Sequence, residues 1–569
     1  MATRKRSSII AIMLIIILVF MSACQAKDNT AEPTPAPVNT PAPADTAATE
    51  PAEVVDPMAK YDPPIKLTGA MFDNGSEFPQ GEDWTNNRWL DHYRDTLGVD
   101  LEFSFITTGV EYPPKLTSSI ATGDIPDIIT LDSISFQTLY ENDELADLTE
   151  AFDEYASDLL KKILTETETG KEAMGLLTRD GKLYGLPQTN ASLAANGLMM
   201  MIRSDWMEEL NLPDPQSLQD VIKIAEAFAL QDPDNNGQDD TYGISVARSF
   251  QFAEFGDLSV FFNGYHAYPR MWLDDGNGGL KYGSIQPEMK TALQSLQNLF
   301  NKKVLSPDLN VNTVESEWDA ARNGKVGIVF GNRNSPRRVA QTITEETPNI
   351  DWKVFPAMSI DSTPAKVNGR NVSNTYYGIR SGYANPEVII KMANAFVEQH
   401  YEYPSTKDNL NPLLNHKLSE EKTITTHNYA LIKIFNPNAV IDEADDIMSA
   451  LKDPSKINDF NRDIVASIQA YPDDLTGWLP MRTYGDNSSF SVVSQYDKND
   501  SVMKERFTGP PTPTMISNNQ ILDDLSYEYF TKIIMGESHI DEFDQFVEQW
   551  KKLGGDQITA EVNAWYKAK

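Results

Sequence analysis

At 569 residues and 63.6 kDa, the chain exceeds one ordinary hydrophobic core and is long enough for two or three lobes. Lys and Arg number 48 against 83 Asp and Glu, a net charge of −35. Phosphate backbones and anionic lipid need a basic face, so this balance argues against nucleic acid and peripheral membrane binding. Cys24 is the single cysteine, which excludes an internal disulfide and a cysteine-based zinc site.

Arg4, Lys5 and Arg6 form a charged n-region, and the 13 residues 9–21 are uninterruptedly apolar. Spanning a bilayer takes roughly 20 residues, so this run suits a signal-peptide core instead. It ends in Met21-Ser22-Ala23-Cys24, which resembles the bacterial lipobox, with Met21 where Leu is usual. Residues 1–23 are thus expected to be a lipoprotein signal peptide and Cys24 the lipidated mature N-terminus; an ordinary secretory signal with an incidental cysteine is the alternative. Losing Arg4, Lys5 and Arg6 takes the basic count from 48 to 45 against 83, or −38. Residues 24–60 are rich in Ala, Pro, Thr and Glu and cannot bury enough surface to fold. Their prolines favour an extended tether, reaching on the order of 100 Å at about 3.1 Å per residue.

From Ile65 onward strands and helices alternate. Residues 65–72 read as a strand, and 87–97 as a helix closed by Gly98. Residues 100–105 form a second strand with apolar residues at alternate positions. A helix over 115–122 ends at Gly123 and leads into a strand at 128–131. This βαβαβ order predicts a parallel sheet flanked by helices, with ligands beyond the carboxyl ends of the strands. Asp73 with its loop, and Asp132-Ser133, fall there. A second set comprises a strand at 197–202, a helix at 217–230 and a strand at 242–246, with further strands at 325–330 and 374–379. No fixed-period repeat is present.

Three stretches, Ser119-Ile-Ala-Thr-Gly-Asp-Ile-Pro-Asp-Ile-Ile129, Gly181-Lys-Leu-Tyr-Gly-Leu-Pro187 and Ile202-Arg-Ser-Asp-Trp206, resemble successive landmarks of family 1 extracellular solute-binding proteins. Lys325-Val-Gly-Ile-Val-Phe-Gly-Asn332 and Phe543-Asp-Gln-Phe-Val-Glu-Gln-Trp550-Lys-Lys-Leu-Gly-Gly555 continue the likeness, which runs from about residue 62 to the C-terminus. It is strongest to the long lipoproteins of Gram-positive bacteria such as the paenibacilli. The resemblance implies an α/β, two-lobed periplasmic-binding-protein-like fold of type II, its lobes joined by crossing strands around an interlobe cleft. Lobe 1 is expected at about 61–185 plus 365–410, and lobe 2 at about 190–350 plus much of 411–569. It further implies capture of a carbohydrate, most simply an oligosaccharide, on the outer face of the cell membrane for delivery to an ABC importer. The expected partners are that carbohydrate, the ABC permease subunits and, through Cys24, lipid; a monomer is expected. A peptide ligand stays open.

Sugar sites combine flat aromatic faces with planar polar groups. By the family argument the cleft candidates are Trp84 and Asn86 after the first strand, Asp132 after the third, Asn332 and Arg333 after a later strand, and Trp272 and Trp478 as stacking platforms. Each tryptophan has core packing as its alternative; Trp206 and Trp550, in amphipathic patterns, are assigned to the core. Arg333, Arg337 and Arg338 leave an acidic sugar open. One loop also suggests a cation: Asp232, Asp234, Asn236 and Asp240 stand at positions 1, 3, 5 and 9 of a calcium-loop pattern, with the Gln238 carbonyl at 7 and Gly237 at 6. Gly243 replaces the usual position-12 Glu, and the alginate-type closing residue is Thr241. A structural Ca2+ is expected, the alternative being a polar turn.

Signs of an enzyme are absent: the sequence holds no Gly-x-Ser-x-Gly elbow, His-Glu-x-x-His helix or Walker loop. His92, His266, His400, His416, His427 and His539 show no metal-ligand spacing. With 83 acidic residues a carboxylate pair remains possible, so a surface-anchored glycosidase is the alternative, alongside a sugar sensor or receptor that does not transport.

Overall fold

In the computed structural model, residues 55–568 are described, apart from 74, 252–254, 370–372, 374, 406–408 and 420–421. The signal peptide, Cys24 and the tether up to residue 54 lie outside the described residues. No helix among the described residues is long and apolar enough to cross a membrane.

The first sheet grows from strands whose apolar residues require cover on both faces. Its order is Val99–Thr107, Ile65–Phe72, Ile128–Leu131, Tyr376–Ile379 and Leu186–Pro187. The first three are parallel, as the alternation of strands and helices predicts. Tyr376–Ile379 runs antiparallel to both neighbours because the chain returns along it from elsewhere. Every residue of Ile128–Leu131 and Tyr376–Ile379 is buried, as a sheet covered on both sides demands.

Local chemistry sets the helix ends. Asn87 accepts hydrogen bonds from the Trp89 and Leu90 amides, starting the helix Arg88–His92. Its continuation ends at Gly98, in the left-handed region at φ 68°. A Cβ there would stand 2.4 Å from the Tyr61 carbonyl, so only glycine fits. The helix Tyr112–Thr122 starts ahead of Lys115 because Pro113 and Pro114 preset its first turn.

The second sheet has the order Trp352–Phe355, Met199–Arg203, Val326–Gly331 and Tyr242–Ile244. Its residues alternate between two cores. Met200, Ile202, Ile328, Phe330 and Phe355 face Phe228, Leu293 and the C-terminal aromatics Phe530, Phe546 and Trp550. Met199, Met201, Val329, Trp352 and Val354 face Trp318, Trp478 and Val493. The helix Leu218–Leu230 is capped by the Ser217 side chain, which accepts from the Asp220 amide.

A separate core surrounds the first sheet and takes in Val388–Val397, Leu414 and the residues Tyr429 to Ile434. The first lobe therefore recovers chain well beyond residue 410, and Ile441 is back in a second-lobe core. Among the described residues, three stretches meet between the lobes, near 187–192, 375–376 and 433–441. They bind one another: the Gln188 amide donates to Thr375 O at 2.8 Å, Phe435 N to Thr189 O at 3.3 Å, and Ser192 N to Pro437 O at 2.9 Å.

Candidate functional site

A cavity of about 350 Å³ opens where the carboxyl end of the first sheet meets the second lobe. Ser133, which follows the buried strand Ile128–Leu131, is its lining residue from the first lobe. The remaining wall comes from the second lobe. Trp272 and Tyr282 stand opposite each other on a short hairpin, with ring centroids 5.2 Å apart. The Tyr282 ring stacks on Trp550 at 4.9 Å and 11° between planes. Phe507, Met515 and Leu522 complete the apolar surface.

Against these rings stands a polar group. Arg270 Nη2 donates to Asp523 Oδ2 at 2.9 Å, with the side chains 20% and 26% exposed. Glu505 Oε1 accepts from the Trp272 amide at 2.8 Å and the Phe507 amide at 3.3 Å. Asn519 lines the same space. Arg270 itself adopts φ 63°, a conformation that costs a non-glycine residue about 1–3 kcal/mol and must be held by its surroundings. Its amide donates to Ser284 Oγ at 2.7 Å. Flat aromatic faces beside guanidinium, carboxylate and amide groups suit a ligand with apolar C–H faces and many hydroxyls.

The sequence candidates disperse. Trp272 lines the cavity while packing in the core at 5% exposure. Asp132 precedes Ser133 and uses Oδ1 to cap the helix Ser133–Glu141, accepting from Ser135 N at 2.7 Å. Trp84 is half-buried against Phe78, Phe103 and Tyr429, and exposed Asn86 donates its amide to Gly81 O at 3.1 Å. The Asn332 side chain accepts from Asn334 N, and Arg333 donates to Ala195 O at 2.7 Å, closing the turn at the sheet end. Trp478 requires correction as a stacking platform. It is 1% exposed, and its Nε1 donates to Asp351 Oδ1 at 2.8 Å beside Arg482. That ring belongs to the core, as the Trp206 ring does. Trp550, expected in the core, is there and also forms cavity wall. Sequence reasoning missed Arg270, Tyr282, Glu505, Phe507, Asn519 and Asp523. The turn-rich Asp275-Gly-Asn-Gly-Gly279 was the available signal for the hairpin that pairs Tyr282 with Trp272.

In the acidic loop, Asp232 accepts from the Asn236 amide at 3.2 Å and the Gly237 amide at 3.0 Å. The Asn236 side-chain amide reaches Asp234 at 2.8 Å and Asp240 at 3.2 Å. Its oxygen accepts from Gln238 N at 2.7 Å. Burial, then the neighbouring Asp232 and Asp240, raise the Asp234 carboxyl above its ordinary range. The Lys325 ammonium pairs with Asp240. The Thr241 hydroxyl donates to Phe228 O at 2.8 Å, back to the preceding helix. Among the described residues no three His, Cys, Asp or Glu side chains gather as a metal cluster. His400 and His427 pack 5.5 Å apart beside Phe396 and Phe435. Burial lowers both imidazoles, His427 to about 4, which keeps them neutral aromatic packing.

No family model matches the chain. It is 20% identical over 494 residues to the polygalacturonan/rhamnogalacturonan-binding protein YtcQ of Bacillus subtilis, covering 84% of this chain and 88% of that one. It is 23% identical over 401 residues to the Bacillus subtilis lipoprotein LipO, covering 68% and 72%. Among solved structures, an extracellular solute-binding protein of Bifidobacterium longum subsp. infantis gives a TM-score of 0.59 at 15% identity over 90% of this chain and 99% of that one. An EF-hand mutant of the Streptococcus pneumoniae substrate-binding protein FusA, in complex with fructo-nystose, gives 0.54 at 17% over 89% and 99%. These structural likenesses establish the two-lobed α/β solute-binding fold.

The burial of Trp478 sets an expectation. Trp478→Ala leaves a cavity and removes one donor from Asp351, so urea unfolding is expected to show a loss of about 3–5 kcal/mol. A loss below about 1 kcal/mol would show that the ring is not core.

Proposed function

We infer that this chain is a solute-binding protein of extracellular family 1 that captures a carbohydrate between its lobes and delivers it to an ABC importer. The observation that carries this reading is the cavity itself: Trp272, Tyr282 and Trp550 present aromatic surface beside Arg270, Asp523, Glu505 and Asn519. Sequence relatives support it, since YtcQ is named for binding polygalacturonan and rhamnogalacturonan. Capture without chemistry is the function; the permease, in the membrane, is the partner. Trp84, Asn86, Asp132, Asn332 and Arg333 are retained as rim contacts made when the lobes close on a ligand. A glycan and peptide array followed by calorimetry tests the reading. Tyr282→Ala and Trp272→Ala are expected to weaken binding of the best glycan by about 1–3 kcal/mol. Peptide binding with no glycan binding would overturn it, and release of new reducing ends would point to hydrolysis instead.

Lipidation of Cys24 holds the protein at the outer face of the membrane, on the strength of the signal and lipobox pattern and of the relative named a lipoprotein. Cys24→Ser is expected to move the protein from the membrane fraction to the medium or to leave it unprocessed. An unmodified Cys24 at the mature N-terminus, seen by mass spectrometry, would sink this assignment.

The acidic loop favours a structural calcium ion. Asp232, Asp234, Asn236 and Asp240, with the Gln238 carbonyl, supply hard oxygen donors, and the Asp232, Asp234 and Asp240 carboxylates are brought together around Asn236. The FusA neighbour is described as having an EF-hand. Calcium at several times its dissociation constant stabilises the folded state by about 1 kcal/mol. A chelator is therefore expected to lower Tm, and Asp232→Ala to abolish that response. An identical melting curve with and without chelator would reduce the loop to a polar turn.

A further inference from the structure

We infer that Lys504 is a positioning residue for ligand capture, a second-lobe ammonium that bridges to Glu168 and Glu172 of the first lobe beside the cavity. The inference rests on the reading that this cavity receives the ligand.

Lys504 ends the short strand Val502–Lys504, which pairs with Val367–Gly369 and buries Val502 in a second-lobe core. The next residue, Glu505, is cavity wall and holds the Trp272 amide. On the other side, Glu168 opens the helix Glu168–Gly175, whose Met174 packs on the first-lobe core. Glu168 and Glu172 are four apart and share one helix face, so a single cation meets both. Lys504 Nζ pairs with Glu168 and lies 2.9 Å from Glu172. Burial pulls the ammonium down, but the two carboxylates outweigh it and hold Lys504 above the ordinary lysine range. Asp497, also in the second lobe, gives a second sign of the juxtaposition. Its carboxyl is raised by burial first and next by Glu168. Lys504 is thus the second-lobe cation that meets Glu168 and Glu172 of the first lobe.

Half-exposed ion pairs are individually weak and screened by salt, which suits a contact that must reopen on release. The test uses the ligand-free full chain, with small-angle scattering across a salt series and an unfolding midpoint for each variant. Lys504→Met and the pair Glu168→Gln, Glu172→Gln are each expected to shift the lobes two- to fivefold toward the open form at low salt. Both should also flatten the salt dependence of the radius of gyration. Lys504→Arg is expected to keep the compact radius and its salt response. If Lys504→Met does not fold, the glutamine pair, on an exposed helix face, decides alone. Variants as compact as the unsubstituted chain, with the same salt response, would overturn the bridge. Because no ligand is present, that outcome leaves the carbohydrate reading to the glycan array.

Discussion

Two lobes with separate cores are joined, among the described residues, at three places, and the hydrogen bonds among them are what everything else hangs on. Gln188 to Thr375, Phe435 to Thr189 and Ser192 to Pro437 tie strands that come from distant parts of the chain. Thr189 adds its hydroxyl to Phe435 O at 2.5 Å, and Tyr377 donates its hydroxyl to Gln188 Oε1 at 2.6 Å. Backbone polar groups at such a junction must be paired, because it lies between two apolar cores that offer no water. Paired largely to one another, they leave the lobes joined through a narrow set of bonds whose dihedrals absorb closure.

That junction also explains why the cavity lies where it does. The carboxyl ends of the first-sheet strands point toward it, and Asp132 and Ser133 turn the chain there into a helix. The second lobe answers with a hairpin and, far along the chain, a connecting segment that runs into a long helix, Pro513–Ile534. Trp272 and Trp550 belong to the second-lobe core as well as to the cavity wall, so packing fixes their rings in place. Rigid walls of this kind lose little side-chain freedom on binding.

Electrostatics is local here despite the net charge of −35. Specific cations meet individual carboxylates: Lys325 at Asp240, Lys504 at Glu168 and Glu172, Arg270 at Asp523, and Arg482 at Asp351. Burial separates their roles. Asp351 is pulled below its usual range, since Arg482, Ser204 and Trp478 outweigh its desolvation, and it anchors a core. Lys504 sits at a more open boundary, where an ion pair remains reversible.

What the sequence determined was local. Gly98 and Gly123 end helices, Ser217 caps one, and the runs read as strands at 65–72, 128–131 and 325–330 become strands, the last at Val326–Gly331, because these depend on backbone conformation and near-neighbour burial. Pattern resemblance added the two-lobed class. Only the tertiary structure decided which tryptophans border the cavity. Trp272 and Trp478 look alike in sequence, yet one borders the cavity and the other donates to Asp351 inside a core. It also decided the Arg270–Asp523 pair, whose partners are 253 residues apart. No periodicity encodes such a contact: it exists only because the hairpin segment and the long helix are packed into one second-lobe core.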